Sequence, residues 1–173
     1  MSHLFVIADL ETTGFSSDAE ILEVAAVLAD GLGRIHAEFS TLVQVQHTIP
    51  REITVLTGIS QSMVNRDGIA LTEALPRFLA FCADYPIFFH NAPFDKRFLS
   101  SAVLKLGLNF SNPVYCSLKV ARAAWPQLSS HTLQALARHI GILPPTHRGL
   151  EDVRAALSVL LAAKDVPLTD LAA

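Results

Sequence analysis

Four carboxylates and one imidazole stand out by where they fall in the chain. Asp9 and Glu11 follow the apolar run Leu4-Phe5-Val6-Ile7-Ala8, in Asp9-Leu10-Glu11-Thr12-Thr13-Gly14. Asp95 closes His90-Asn91-Ala92-Pro93-Phe94-Asp95, after a second apolar run. His147 and Asp152 bracket His147-Arg148-Gly149-Leu150-Glu151-Asp152, after a Pro144-Pro145 loop. Residues two apart on a strand share a face. Asp9 and Glu11 therefore project together from a strand end, where open α/β sheets place ligands. Asp152 shares a helical face with Gly149 and Ala156, whose small side chains let that face lie close to a sheet. A carboxylate there needs a partner, because an isolated buried charge is costly. Glu151 reads as its solvated neighbour.

Gathered at one strand end, these acids repel one another. Two unit charges about 6 Å apart at an effective dielectric near 20 cost roughly 3 kcal/mol. Two divalent cations bring the formal charge of four carboxylates to zero, and oxygen ligands select hard ions, Mg²⁺ or Mn²⁺, over zinc. Two such ions about 4 Å apart suit in-line displacement at phosphorus. Taken singly, each piece has an ordinary reading. Two acids at a strand end are commonly solvated, and an Asp in the first turn of a helix interacts favourably with the helix dipole.

The elements that must position these groups follow from periodicity. Leu4 to Ala8 is apolar on both faces, as a strand covered on both sides requires. Glu20 to Ala29 is a second apolar run and fits strand or helix by period alone. The turn Asp30-Gly31-Leu32-Gly33 and the alternation of Ile35, Ala37, Phe39, Thr41 and Val43 with His36, Glu38, Ser40 and Leu42 make it the first arm of an antiparallel hairpin. Leu75, Phe78, Leu79 and Cys82 have helical spacing, with Thr72 as candidate N-cap. Pro86 to Phe89 reads as a short strand. Pro93 to Leu106 reads as a helix, with Asn91 as its candidate cap and Gly107 past its end. Val114 to Cys116 is a candidate edge strand, and Ser117 to Trp125 a short helix stopped by Pro126. Leu133 to Ile140 and Leu150 to Leu160 supply two more helices. Three strands followed by helices interleaved with two strands predict an α/β fold, with a mixed sheet of about five strands flanked by helices.

The chain has 173 residues, 51% apolar and 17% charged, which fits one domain spanning 1–173 and excludes disordered and low-complexity classes. Thirteen basic against 16 acidic residues leave a net charge of −3, which excludes a strongly basic nucleic-acid coat. It does not exclude an enzyme that meets nucleic acid through metal ions. Cys82 and Cys116 sit in apolar stretches without metal spacing and read as buried thiols in a reducing compartment. The first apolar run is too short for a signal peptide, and no run approaches the roughly 20 residues of a membrane span, so a soluble, cytoplasmic protein is expected. The sequence ends soon after Lys164 with no long tail for docking a polymerase, so a stand-alone role is expected.

Together, Asp9-x-Glu11, His90-Asn91-Ala92-x-Phe94-Asp95 and His147-(x)4-Asp152 resemble the DEDDh family of 3′→5′ exonucleases. This is the DnaQ-like group related to the proofreading epsilon subunit of bacterial DNA polymerase, and its exonuclease X-like members are the most similar. The stretch from Ile49 to Ile59 is similar to another segment typical of the family, and the likeness runs from about Phe5 to Leu161. It implies a ribonuclease H-like fold and a metal-dependent 3′→5′ exonuclease that releases nucleoside 5′-monophosphates from the 3′ end of DNA, preferably single-stranded, in a proofreading or DNA-repair setting. By position, Asp9, Glu11 and Asp152 would hold one Mg²⁺ (or Mn²⁺), Asp9 would bridge to a second, and Asp95 would support that second ion. His147 would be the general base. Thr12, Thr13 and Gly14 would meet the terminal nucleotide through backbone amides, with Phe15 and Leu56 packing against its base.

Cys116 stands where the family often has Asp, and Gly149 where Ala is usual, which is expected to loosen the first turn of the helix carrying Asp152. His90 and Asn91 read as structural. Glu23, alone in an apolar strand, reads as locally hydrogen-bonded or as standing behind the acids. His3, His36, His47, His131 and His139 read as surface or capping residues. Lys96, Arg97, Lys119, Arg122 and Arg148 are candidates for strand-backbone contacts. The nearest alternatives are an exoribonuclease acting on short RNA or tRNA 3′ ends and a non-catalytic module binding nucleic acid or a polymerase. A two-carboxylate glycosidase would leave Asp95, Asp152 and His147 unexplained.

Overall fold

The computed structural model describes residues 4–163. The apolar run at the start forms the central strand β1 (Leu4–Thr12). The ambiguous second run resolves as strand β2 (Ile21–Asp30), antiparallel to β1, and β3 (Ile35–Leu42) pairs antiparallel with β2. The hairpin turn is built by Asp30, whose Oδ1 accepts from the Leu32 and Arg34 amides, and by Gly33 at φ +85°. A left-handed residue is what this turn requires, and glycine adopts it without steric cost.

Seven helices and two short strands follow among the described residues: α1 (Arg51–Thr57), α2 (Gln61–Asp67), α3 (Leu71–Cys82), β4 (Ile87–Phe89), α4 (Ala92–Lys105), β5 (Val114–Cys116), α5 (Ser117–Ala124), α6 (Leu133–His139) and α7 (Gly149–Ala162). Strands β4 and β5 extend the sheet in parallel, giving the order β3-β2-β1-β4-β5. The mixed five-stranded sheet and its helices match the expected α/β class.

Period-2 alternation along β1 and β2 divides the core. Val6, Ala8 and Leu10 of β1 and Val24 and Ala26 of β2 bury one face against α3 and α4. Ile7 of β1 and Ala25, Val27 and Ala29 of β2 bury the other against α5, α6 and α7. Asp9 and Glu11 continue the Ile7 row, so they face the helix that carries Asp152. A third cluster, Leu22, Ile49, Ile53, Ile59 and Val64, seats α1 and α2 at one end of β2.

Two local expectations are corrected. Thr72 lies inside α3; the cap position is Ala70, whose carbonyl accepts from the Glu73 and Ala74 amides without side-chain capping. Asn91 occupies the cap position of α4 but in a left-handed conformation, φ +72°, from which its side chain makes no capping bond. Gly149 has a packing role as well. A Cβ there would lie 2.5 Å from the Ala25 Cβ and 3.1 Å from the Glu23 carboxylate carbon, so the missing side chain lets α7 close onto β2. Cys82 and Cys116 are both buried free thiols. No helix of the described residues is long and apolar enough to cross a membrane.

Candidate active site

The end of β1 sets the first two acids. Asp9 sits opposite Ala25 and Glu11 opposite Glu23 in the β2 register, and a bulge after Glu11 ends the regular pairing. The parallel register puts Phe89 beside Ala8, so the chain leaves β4 level with Asp9 and turns directly into α4. Pro93 pre-forms the first turn of that helix, which holds Asp95. Asp95 is only 2% exposed, and its Oδ1 accepts from the Leu10 amide at 3.2 Å. That bond ties the start of α4 to the strand between Asp9 and Glu11.

On the opposite face, α7 packs across β1 and β2 and presents the buried Asp152 from its first turn. His147 precedes the helix in a left-handed conformation, φ +58°, which costs a non-glycine residue on the order of 1 kcal/mol. Glu11, His147 and Asp152 each bring one potential ligand atom within 4.8 Å of the others. The Gln134 side-chain amide nitrogen lies 3.0 Å from His147 Nε2, within hydrogen-bonding distance.

Burial and mutual repulsion raise the proton affinity of every acid in the group. Burial, then the charges of Asp152 and Glu23, push Asp9 up from 3.8 to about 8. Burial followed by Asp9, Asp152 and Glu23 pushes Glu11 up to about 9, against a weaker opposing pull from Arg148. Burial raises Asp152 to about 6, although His147 opposes it. Asp95 lies well above the ordinary carboxylate range, by burial first and Asp9 second. The buried Asp152 Oδ1 has no hydrogen-bond partner. A hard divalent cation fits both features, since it supplies the missing partner of Oδ1 and offsets the repulsion among oxygen donors.

A stability consequence follows from the direction of these shifts. Between the ordinary values near 4 and the raised values of about 6 to 9, the unfolded chain ionises these acids while the folded site holds their protons. Folded stability therefore falls as pH rises through that window. Asp18, Glu20, Asp30 and Asp67 are shifted downward and act below it. In cation-free buffer the melting temperature is expected to be on the order of 5 °C lower at pH 8 than at pH 5.5. Millimolar Mg²⁺ or Mn²⁺ should raise it at pH 8 more than at pH 5.5. Scanning calorimetry checks both; a melting temperature indifferent to pH and cation would contradict them.

The acids and His147 line one open cleft, together with Leu10, Thr12, Gly14, Phe15, Ile53, Leu56, Thr57, His90 and Phe94. Phe15 is 71% exposed and Leu56 43%. Thr12 folds its hydroxyl onto the Gly14 carbonyl at 2.7 Å. Thr13 is outside the lining; its hydroxyl accepts from the Glu20 amide and holds the loop after β1. His90 bonds Ser117 and the His131 carbonyl, and burial lowers its proton affinity, in keeping with a structural role.

Glu23 is engaged at long range. Its buried carboxylate accepts from the Gly149 amide at 3.1 Å and from the Ser40 hydroxyl at 3.3 Å, and lies 3.8 Å from Arg148 Nε. It thus fastens the start of α7 behind Glu11. Ile53, Thr57 and Phe94 were not singled out from the sequence as cleft residues. Phe94, one position before Asp95, had a signal in the helix-start spacing. Ile53 had one in its i, i+3 spacing to Leu56 on the same helix, and Thr57 in its i, i+4 spacing to Ile53.

A family model described as an exonuclease matches residues 6–160. The DNA polymerase III subunit epsilon of Aquifex aeolicus is 35% identical over 160 residues, which are 91% of this chain and 78% of that protein. The PolC-type DNA polymerase III of Clostridium perfringens is 39% identical over 159 residues, covering 90% of this chain; the chain spans only 11% of that relative. Among solved structures, Escherichia coli exonuclease I in complex with a dT13 oligonucleotide superposes with a TM-score of 0.85 at 18% identity, over 94% of this chain and 41% of that one. That likeness establishes the ribonuclease H-like exonuclease fold.

Proposed function

The chain belongs to this exonuclease family, and on that premise we propose that it is a metal-dependent 3′→5′ exonuclease acting on DNA, preferably single-stranded. The observation that carries the reading is the convergence of Asp9, Glu11, Asp95, Asp152 and His147 on one cleft. Asp9, Glu11, Asp95 and Asp152 would hold two Mg²⁺ or Mn²⁺ ions. Bound there, such ions supply Lewis-acid stabilisation of the charge that develops on the attacking and leaving oxygens. His147 accepts the proton of the attacking water, for which an unprotonated ring nitrogen is required; Gln134 keeps the imidazole in place until substrate enters. The water oxygen joins the phosphorus of the terminal nucleotide, and the P–O3′ bond breaks. The 3′ oxygen departs with the shortened strand, leaving a nucleoside 5′-monophosphate. Thr12 and Gly14 bound the terminal nucleotide, and Phe15 and Leu56 flank its base.

The test is a product assay on oligonucleotides labelled in the 3′-terminal nucleotide, as single-stranded DNA, duplex DNA and RNA. Single-stranded DNA should be degraded fastest, to 5′-monophosphates. EDTA should stop the reaction, and Mg²⁺ or Mn²⁺ should restore it. Activity that persists in EDTA would overturn the reading. Faster hydrolysis of RNA would transfer the substrate assignment to RNA.

A further inference from the structure

Phe15 presents a large apolar ring to solvent at the lip of the cleft, at 71% exposure. The chain that follows it offers little to hold the ring in place, since Ser16, Ser17 and Asp18 are exposed as well. What fixes Phe15 comes from α4. Its ring leans against Phe94, with centroids 5.9 Å apart. Its carbonyl accepts a 2.8 Å hydrogen bond from Arg97 Nη2 across 82 residues of sequence. The Arg97 guanidinium in turn lies over the Phe98 ring at 4.8 Å and the Phe94 ring at 5.6 Å. Phe94 itself packs on Phe98, with centroids 5.0 Å apart.

The result is a braced unit in which one planar cation touches two aromatic faces and a backbone acceptor. Arginine suits this position because its planar fork can stack and donate at once, which an ammonium cannot reproduce. Phe94 and Arg97 flank Asp95 on α4. The brace therefore sets the Phe15 ring relative to a carboxylate of the site.

Resting on the proposed exonuclease reading, we propose that Arg97 is a positioning residue that holds the Phe15 ring as a stacking platform for the base of the 3′-terminal nucleotide. Stacking of a base on an aromatic side chain is sequence-tolerant, because every base has a π-face. Arg97 on this account governs grip on the terminal base without touching the reacting atoms. Its influence disappears when the base is absent.

The experiment compares two single-stranded DNA oligonucleotides in Mg²⁺, one ending in a normal nucleotide and one ending in an abasic tetrahydrofuran residue. The wild type, Arg97→Ala, Arg97→Lys, Phe15→Ala and the Arg97→Ala/Phe15→Ala double variant are assayed on both. On the normal substrate Arg97→Ala should lower kcat/KM about fivefold or more, chiefly through KM, within the range expected for weakened base stacking. On the abasic substrate its loss should stay within about twofold. Arg97→Lys should behave like Arg97→Ala, and the double variant should be no worse than Phe15→Ala. Thermal melts establish that each variant is folded under assay conditions. Equal losses on both substrates, with Arg97→Lys close to wild type and a shallower salt dependence, would make Arg97 a phosphate contact and overturn the proposal. Wild-type kinetics for Arg97→Ala on both substrates would also overturn it. A wild type inert on the normal oligonucleotide would instead overturn the exonuclease reading from which it starts.

Discussion

Asp9→Asn is expected to reduce exonuclease turnover by about a thousandfold or more, while the variant stays folded. Asp9 is the acid whose charge reaches both sides of the site. It raises the proton affinity of Asp95 on α4 and of Glu11 on its own strand, and is itself raised by Asp152 on α7. An amide keeps the shape but removes the charge that Asp9 would offer a bound cation. A thousandfold loss corresponds to about 4 kcal/mol of transition-state stabilisation. Relief of repulsion works the other way on stability, so the cation-free variant should melt at a higher temperature than the wild type at pH 8. Steady-state kinetics and calorimetry on the same preparation check both signs. Turnover close to wild type would remove Asp9 from the chemistry, and a lower melting temperature would contradict the repulsion.

His147→Ala is expected to lower kcat by about 10²- to 10⁴-fold, the usual contribution of a positioned general base, with KM for single-stranded DNA changed little. The imidazole shares its corner of the cleft with Glu11 and Asp152 and is also bonded to Gln134. Removing it leaves the four carboxylates in place, so Mn²⁺ binding should persist while hydrolysis fails. That separation distinguishes loss of a base from collapse of the site. A rate unchanged by the substitution would exclude His147 as the base. Loss of Mn²⁺ binding in parallel would make it a ligand instead.

How much of this was legible in the sequence depended on the range of the interactions. Strand period alone put Asp9 and Glu11 on one face, and both lie in the row facing α7. The small residues around Asp152 announced a close approach, made concrete at Gly149, where an added Cβ would lie 2.5 Å from the Ala25 Cβ. The second apolar run could not be assigned by its own pattern and was settled by the hairpin turn after it. Helices α1 and α2 went unread as helices because each short run buries so few residues that no apolar stripe shows, Ile53 and Thr57 in α1 and Val64 in α2, and α1 follows Pro50 without a capping side chain. Thr72 misled for a related reason: a good capping residue two positions inside the true start looks like a boundary. The least legible contacts join residues far apart in sequence. Glu23 meets the Gly149 amide across 126 residues and Arg97 meets the Phe15 carbonyl across 82. No local pattern encodes those pairings, because the sheet register and the packing of α4 and α7 create them.

The most direct test of the central claim is the anomalous scattering from crystals soaked in Mn²⁺ near pH 8. Two anomalous peaks should appear among the carboxylates of Asp9, Glu11, Asp95 and Asp152, and soaking Asp9→Asn crystals should weaken or abolish them. Carboxylates turned away from one another, with no anomalous density between them, would contradict the account.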